Sequence, residues 1–369
     1  MTNHFTPRLA GGFDASRRYP VISATALAGV PDFVASSYGE RTLERAIREM
    51  MVDPQLLTDP DCYIPHAVMA RLAAAIERTA REKDFGLALA PQLSVRNYGC
   101  WGEYVLGADT LGGAIDRGVR AARFHASGDV FTCQVSGGVA RIIYTSAAKG
   151  RDGYAHVASG IIAILLSICR EYLPARWRPL WVELDIPAPR RAWPYEEAFG
   201  ALTKFDAAAP AICVAAEDLL AKRASGPPRH VVTIEDVARA RSELGIPDFS
   251  SIVAEQVRLQ MLAGSISIDR VACVLDSSVR SLQRELNRCG TSFRDITAAV
   301  RVRRAANLLA YSDIPVTQIS NDLGYSAPAH FARAFRRAMG QTPREYRSSR
   351  RQGVLLRDAN PNARGRDLG

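Results

Sequence analysis

Gly324-Tyr325-Ser326-Ala327-Pro328-Ala329-His330-Phe331-Ala332-Arg333-Ala334-Phe335-Arg336-Arg337 is the stretch that decides how this chain is read. Glycine at its head can take positive φ in a turn without a Cβ penalty. Phe331 and Phe335 are four residues apart, so they share one face of a helix and can anchor it. Arg333, Arg336 and Arg337 then fall on the remaining surface. Just upstream, Val316, Ile319, Ser320 and Leu323 put small or apolar side chains on one face of a short helix. Helix, glycine turn and arginine-bearing helix is the layout that sets a second helix into a DNA major groove.

The same layout occurs about 50 residues earlier, around Asp269 to Leu286. Ile268, Val271, Ala272 and Leu275 form the inward face of a short helix. Asp276-Ser277 make a turn, and Ser278 is placed to cap the helix that follows. That helix buries Leu282 and Leu286 and carries Arg280, Gln283 and Arg284 on its other face. Arginine can bond guanine O6 and N7 in pairs, and glutamine can bond adenine N6 and N7. Between the two units, Phe293, Ile296, Val300, Ala305 and Leu308-Leu309 recur at helical spacing over Ser292 to Ala310. A rigid helix there would fix the separation of the two heads, and about 34 Å would admit both to successive major grooves.

Charge supports a nucleic-acid partner. The chain of 369 residues has 47 Lys+Arg and 38 Asp+Glu, a net charge of +9. From Phe249 to Gly369 there are 19 basic and 10 acidic residues, and every basic one is arginine. The rest of the chain balances at 28 of each sign. Arginine concentrated in one segment suits phosphate contacts and bidentate base contacts.

Other classes find less support. The cysteines Cys62, Cys100, Cys133, Cys169, Cys213, Cys273 and Cys289 form no CxxC pair and no cluster with His at zinc spacing. Neither a metal nor another cofactor is expected, and scattered thiols suggest a reducing compartment. Residues 1–13 lack an apolar signal core. The most apolar run, Ile161 to Cys169, is far short of the roughly 20 residues of a membrane span. A cytoplasmic protein without membrane attachment is expected. There is no GxSxG, HExxH or Walker loop. Glu183 and Asp185 share a face of one expected strand, but paired carboxylates alone are weak evidence for catalysis. The chain is read as a non-enzyme.

Upstream of the heads the pattern is mixed. Helices are expected over Thr42 to Asp53, Pro65 to Arg81, Leu111 to Phe124, Ala155 to Leu173 and Tyr195 to Leu202. Asp129 to Val135 and Val139 to Thr145 flank Ser136-Gly137-Gly138 as a hairpin, and Leu180 to Ile186 and Lys204 to Val214 read as extended. Ala224-Ser225-Gly226-Pro227-Pro228-Arg229 marks a linker, Thr233 caps a helix to Leu244, and Ile246-Pro247-Asp248 is a second break. The expected fold is an α+β N-terminal sensor domain followed by an all-α C-terminal domain with two helix-turn-helix units. The domains expected are 20–222 for effector binding and dimerisation, 223–249 as a linker with a short helix, 250–350 for DNA binding, and 351–369 as a disordered tail. In the first of these, Tyr98, Trp101, Tyr104, Arg123, His125 and Trp181 could wall an effector pocket, although aromatic residues there are more often core.

Ser278 through Arg284, Gly290-Thr291-Ser292-Phe293, Arg301, Ala305, Leu308-Leu309, the 324–337 stretch and Gly340-Gln341-Thr342-Pro343-Arg344-Glu345-Tyr346-Arg347 together resemble the AraC/XylS-type DNA-binding domain. Asp84 to Leu89, Tyr98-Gly99, Leu106-Gly107, Thr110 to Ala114, Phe199-Gly200 and Lys204-Phe205-Asp206 resemble the arabinose-binding-like sensor domain of one branch of that family. The likeness implies a seven-helix, two-headed regulator acting on double-stranded promoter DNA. It also implies a small-molecule effector, a homodimer and contact with RNA polymerase. By the same likeness, Ser278, Arg280, Ser281, Gln283 and Arg284 serve the first head. Ser326, Pro328, Ala329, His330, Arg333, Arg336 and Arg337 serve the second. Pro328-Ala329 depart from the polar residues common there, which points to weaker base readout, with Ala329 open to a thymine methyl. Two rivals remain, an effector-independent DNA binder and an enzyme carrying a DNA-targeting module.

Overall fold

The computed structural model describes residues 20–50, 62–223, 231–242, 249–262 and 264–349. The Ala224–Arg229 linker, the Ile246–Asp248 break and the 351–369 tail lie outside the described residues, as does residue 263. The elements in chain order are β1 (Val21–Ser23), α1 (Val30–Tyr38), α2 (Glu40–Met50), β2 (Tyr63–Pro65), α3 (His66–Ala80), α4 (Phe85–Leu89), α5 (Gly99–Leu106) and α6 (Leu111–His125). They continue with β3 (Val130–Ser136), β4 (Val139–Thr145), α7 (Tyr154–Arg170), β5 (Trp181–Glu183), α8 (Trp193–Phe199), β6 (Thr203–Lys204), β7 (Ala211–Ala215) and α9 (Ile234–Ser242). The last are α10 (Phe249–Leu262), α11 (Ile268–Val274), α12 (Val279–Arg288), α13 (Phe293–Tyr311), α14 (Val316–Asp322) and α15 (Pro328–Met339).

Two compact units divide the chain. One holds residues up to Ile252 together with Asp269–Ser278, and the other holds Val253–Ile268 with Val279 onward. The first unit is built on a sheet in the order β3-β4-β7-β5-β6, antiparallel except for the parallel β5/β6 pair. Its hairpin pairs Ser136 with Val139 across Gly137 and Gly138, both at positive φ. Two consecutive positive-φ residues are what a tight hairpin turn matching strand twist requires. Helix α6 starts at Thr110, whose hydroxyl accepts from Gly113 N at 3.2 Å.

Helix α7 is the apolar run of the sequence. Ile162, Leu165, Leu166, Ile168 and Cys169 are buried on it, in one core with Leu111 and Ile115 of α6 and Ile142 and Ile212 of the sheet. Burial of that kind contributes roughly 1.5–3 kcal/mol per large aliphatic side chain. Among the described residues no helix is long and apolar enough to cross a membrane. Sequence patterning missed the short β1/β2 ribbon and helices α1 and α5. Pro65, expected in the first helical turn, instead ends β2 and stands at the N-cap of α3.

In the second unit, Ser292 caps α13 by accepting from Asp295 N at 3.2 Å, while its hydroxyl donates to the Asp295 carboxylate at 2.6 Å. Its 19 residues span about 28 Å at the standard rise. Residues 343–349 are helical, started by Thr342 and Glu345, each of whose side chains accepts from the other's backbone N–H.

Candidate functional site

Both heads turn in the same way. In the second, Tyr325 N donates to Ser320 O at 3.1 Å and Gly324 N to Asn321 O at 2.9 Å. In the first, Ser277 N donates to Ala272 O at 2.8 Å and Asp276 N to Cys273 O at 3.1 Å. This is the paired bonding of a helix ended by one left-handed residue. Gly324 takes that role at φ +73°, and Asp276 takes it at φ +50°.

Helix α12 buries Leu282, Glu285 and Leu286. Arg280, Gln283 and Arg284 stand exposed on the other side, as does Asn287. The four recur at i, i+3, i+4 and i+7, one stripe along the helix. Asn287 was missed in the sequence reading, although the spacing alone extends the stripe to it. Ser278 is exposed just before α12, and Ser281 is partly covered. Among the described residues neither Arg280 nor Arg284 forms an ion pair, whereas Arg288 reaches Glu285 at 3.3 Å.

Helix α15 is fixed from beneath. Phe331 and Phe335 are fully buried with Ile319 of α14 and Leu323 just after it, Val302, Ala305 and Leu309 of α13, and Tyr346. Aromatic contact runs from Tyr325 to Phe331 at 5.3 Å, on to Phe335 at 5.7 Å and to Tyr346 at 5.5 Å. Arg301 of α13 lies over the Tyr325 ring at 5.5 Å and so ties the turn to the spacer helix. Pro328, Ala329, His330, Arg333, Arg336 and Arg337 are all exposed on α15. Ser326, also exposed, bonds His330 Nδ1 at 3.1 Å, so these two act as a pair at the start of the helix.

The N-terminal unit contains a cavity of about 110 Å³. Tyr98, Trp101 and His125 line it together. His125 stacks on Tyr98 at 4.6 Å and lies 5.2 Å from Trp101. The other three pocket candidates lie elsewhere. Tyr104 is buried under Arg117, 5.2 Å from its ring. Arg123 covers Phe124 at 4.7 Å. Trp181 sits on β5 with Lys204 over its ring at 4.1 Å. Periodicity could not separate these groups, because which aromatic residues converge depends on how α5, α6 and the sheet stack.

One carboxylate belongs to the cavity wall and was not anticipated. Asp129 accepts from the Tyr144 hydroxyl at 2.7 Å and from Ala147 N at 2.8 Å, and His66 Nε2 stands 3.1 Å away. Burial, reinforced by the Asp129 charge, pushes the Tyr98 and Tyr144 hydroxyls well above the usual tyrosine range. Both remain protonated donors at neutral pH.

Glu183 and Asp185 do not converge on a common point. Arg141 and Trp181 bind Glu183 at 2.5 and 2.9 Å, while Lys149 and Tyr154 bind Asp185 at 2.7 and 2.9 Å. Burial pushes the Cys213 thiol up to about 12 and raises Cys133 as well. Among the described residues no cluster of three or more His, Cys, Asp or Glu is placed to hold a metal ion.

Two helix-turn-helix units with open arginine-bearing faces, preceded by an α/β domain, define a DNA-binding transcription regulator. Residues 41–222 match the family described as the arabinose-binding domain of AraC transcription regulator, N-terminal, and residues 257–349 match a helix-turn-helix domain family. The chain belongs to the AraC family of transcription regulators. It is 26% identical over 301 residues to the ornithine utilization regulator of Pseudomonas aeruginosa, covering 81% of this chain and 88% of that relative. It is 39% identical over 85 residues to the urease operon transcriptional activator of Escherichia coli, covering 23% of this chain and 29% of that one. The crystal structure of the transcriptional regulator CdpR from Pseudomonas aeruginosa aligns over 85% of this chain and 98% of its own, at 20% identity and a TM-score of 0.38.

Proposed function

We propose that this regulator reads duplex DNA with α12 and α15, through Ser278, Arg280, Ser281, Gln283 and Arg284 on the first and Ser326, Pro328, Ala329, His330 and Arg333 on the second. Asn287 joins the first set. Arg336 and Arg337 meet phosphates. The single observation that carries it is the stripe Arg280, Gln283, Arg284 and Asn287, exposed on a helix whose opposite face is buried. Side chains of these types, free to extend, match the donor and acceptor patterns of guanine and adenine in the major groove.

The N-terminal domain, residues 20–222, holds a small effector and pairs two protomers, and residues 250–350 bind DNA and engage RNA polymerase. Effector binding shifts the population between DNA-competent and incompetent states by its differential affinity for them. No catalytic step is assigned. Glu183 and Asp185 are each engaged by a separate cation, and the Cys213 and Cys133 thiols are held protonated, which supports a binding role. The protein works in the cytoplasm.

Selection of full-length protein against a random duplex library tests the reading. A consensus of two short blocks one helical turn apart is expected, with the Arg284→Ala variant losing choice at one position of one block. Enrichment without any consensus would show an architectural binder instead.

A further inference from the structure

The cavity of the N-terminal unit has walls unlike those of a sugar site. Leu72, Ile76, Ile161, Ile164 and Leu165 are among its aliphatic lining, and among the described residues no lysine or arginine lines it. Its polar groups are largely engaged already. The Tyr144 hydroxyl is given to Asp129. His156 Nδ1 accepts from Gly86 N at 3.2 Å, so its Nε2 carries the hydrogen that faces Glu77 at 3.0 Å. Ser146 Oγ accepts from Ala148 N at 3.2 Å. Asp129 accepts from the Tyr144 hydroxyl and from Ala147 N, two of the roughly four acceptor positions of a carboxylate, and His66 Nε2 stands 3.1 Å from it without forming a hydrogen bond.

Tyr98 differs. It lines the cavity, stacked on His125, and its hydroxyl makes no hydrogen bond among the described residues. A sugar entering here would give up water at nearly every carbon and find few partners, which is costly. A carboxylate or phosphate would meet the Asp129 carboxylate and, among the described residues, no lysine or arginine. An ammonium would give up its water for a single buried carboxylate that already holds two donors, and the cost of burying a charge exceeds that gain unless the geometry is excellent. Size narrows the choice further. A cavity of about 150 Å³ admits benzene, so one of about 110 Å³ takes a single small ring or short chain, with slight movement of flexible wall side chains such as Met69 and Leu93.

We infer that the cavity, as the effector site of the regulatory reading above, takes a small neutral molecule: an apolar ring or short chain carrying one hydroxyl, which bonds the hydroxyl of Tyr98. Gly160 offers a way to close the site. Among the described residues a Cβ placed there meets Leu93 Cδ1 at 3.3 Å and nothing else close, so a larger side chain grows from α7 into the cavity.

The test is a thermal-shift and calorimetric titration of the full chain with phenol, benzene, benzoate and L-arabinose. Phenol and benzene are expected to raise Tm, with phenol bound about two- to tenfold more tightly, the value of one hydrogen bond. In Tyr98→Phe that preference disappears while benzene still binds. In Gly160→Leu both ligands are lost. Should Gly160→Leu fail to fold, Tyr98→Phe, which keeps the ring and its stacking, still decides. Stabilisation by arabinose or benzoate equal to that by phenol would overturn the inference. So would the absence of any shift, or phenol binding that neither variant changes. Operator binding measured on the same preparations separates the two readings. Intact DNA binding without a phenol shift sinks the ligand class alone. A phenol shift with unaltered DNA affinity leaves the site standing and removes its regulatory role.

Discussion

Arg284 stands exposed on α12 and forms no ion pair among the described residues. A guanidinium in that state has its donors available, and a bidentate bond to guanine contributes about 1–3 kcal/mol of discrimination. Arg284→Ala is expected to weaken specific binding by that amount and to relax choice at one base pair. Fluorescence anisotropy on operators altered one base at a time would show it. Equal loss on every duplex would reduce Arg284 to a phosphate contact. Arg280, Gln283 and Arg284 were legible in sequence because a helical period sorts α12 into two faces. The Ser326–His330 pair was not, since a hydrogen bond between two plausible DNA ligands depends on their rotamers.

Within elements, the turn of the second head rests on one backbone geometry. Gly324 at φ +73° has Arg301 Nη2 only 3.2 Å from where a Cβ would sit. Gly324→Ala should cost about 1–2 kcal/mol for an L-residue in left-handed conformation, and would press Arg301 away from Tyr325. Chemical denaturation of the variant would measure the cost. An unchanged midpoint would show that the turn tolerates a side chain.

The central sheet supplies a prediction in pH. Burial alone would raise Glu183, but hydrogen bonds from Arg141 and Trp181, with the Arg141 charge, outweigh it and hold the carboxyl below its usual value. A folded value lower than the unfolded one contributes stability at neutral pH that fades as pH falls through the carboxylate range. Arg141 is partly exposed, so the contribution is of order 0.5 kcal/mol after screening by water. Thermal melts of Glu183→Gln between pH 7 and pH 3 should show a shallower acid decline than wild type. Parallel curves would assign acid sensitivity to other carboxylates.

Elements differed in how plainly the sequence announced them. Helices α3, α6, α7 and α13 have long periodic stripes, and the β3–β4 hairpin has Gly137-Gly138 at its tip, so all were readable. Strands β1 and β2, three residues each, carry too few positions for alternation to register. They exist because Val21 and Pro65 pair across a segment of more than 40 residues. Helix α5 opens on two glycines within four residues, a composition that argues against helix until packing of Trp101, Tyr104 and Val105 overrides it.

At the scale of the whole molecule, charge is distributed unevenly. The excess of +9 falls entirely between Phe249 and Gly369. Binding that neutralises phosphates releases counterions, so affinity for operator should fall linearly in log–log form with salt. With six or more phosphate contacts, full-length protein would lose about a thousandfold or more between 50 and 200 mM salt. A flat salt dependence in an equilibrium titration would remove phosphate contact from the account.

Local periodicity and charge, both written directly in residue order, were enough to establish two helix-turn-helix heads, their arginine faces and the buried helix α7. Each follows from neighbours three or four positions apart, whose relation the helix itself dictates. Folding alone chose Tyr98, Trp101 and His125 over Tyr104, Arg123 and Trp181 as cavity lining, and it brought Asp129 to that wall beside His66 and Tyr144. Those residues come from separate helices and strands, and only packing of the elements against one another determines which of their side chains meet.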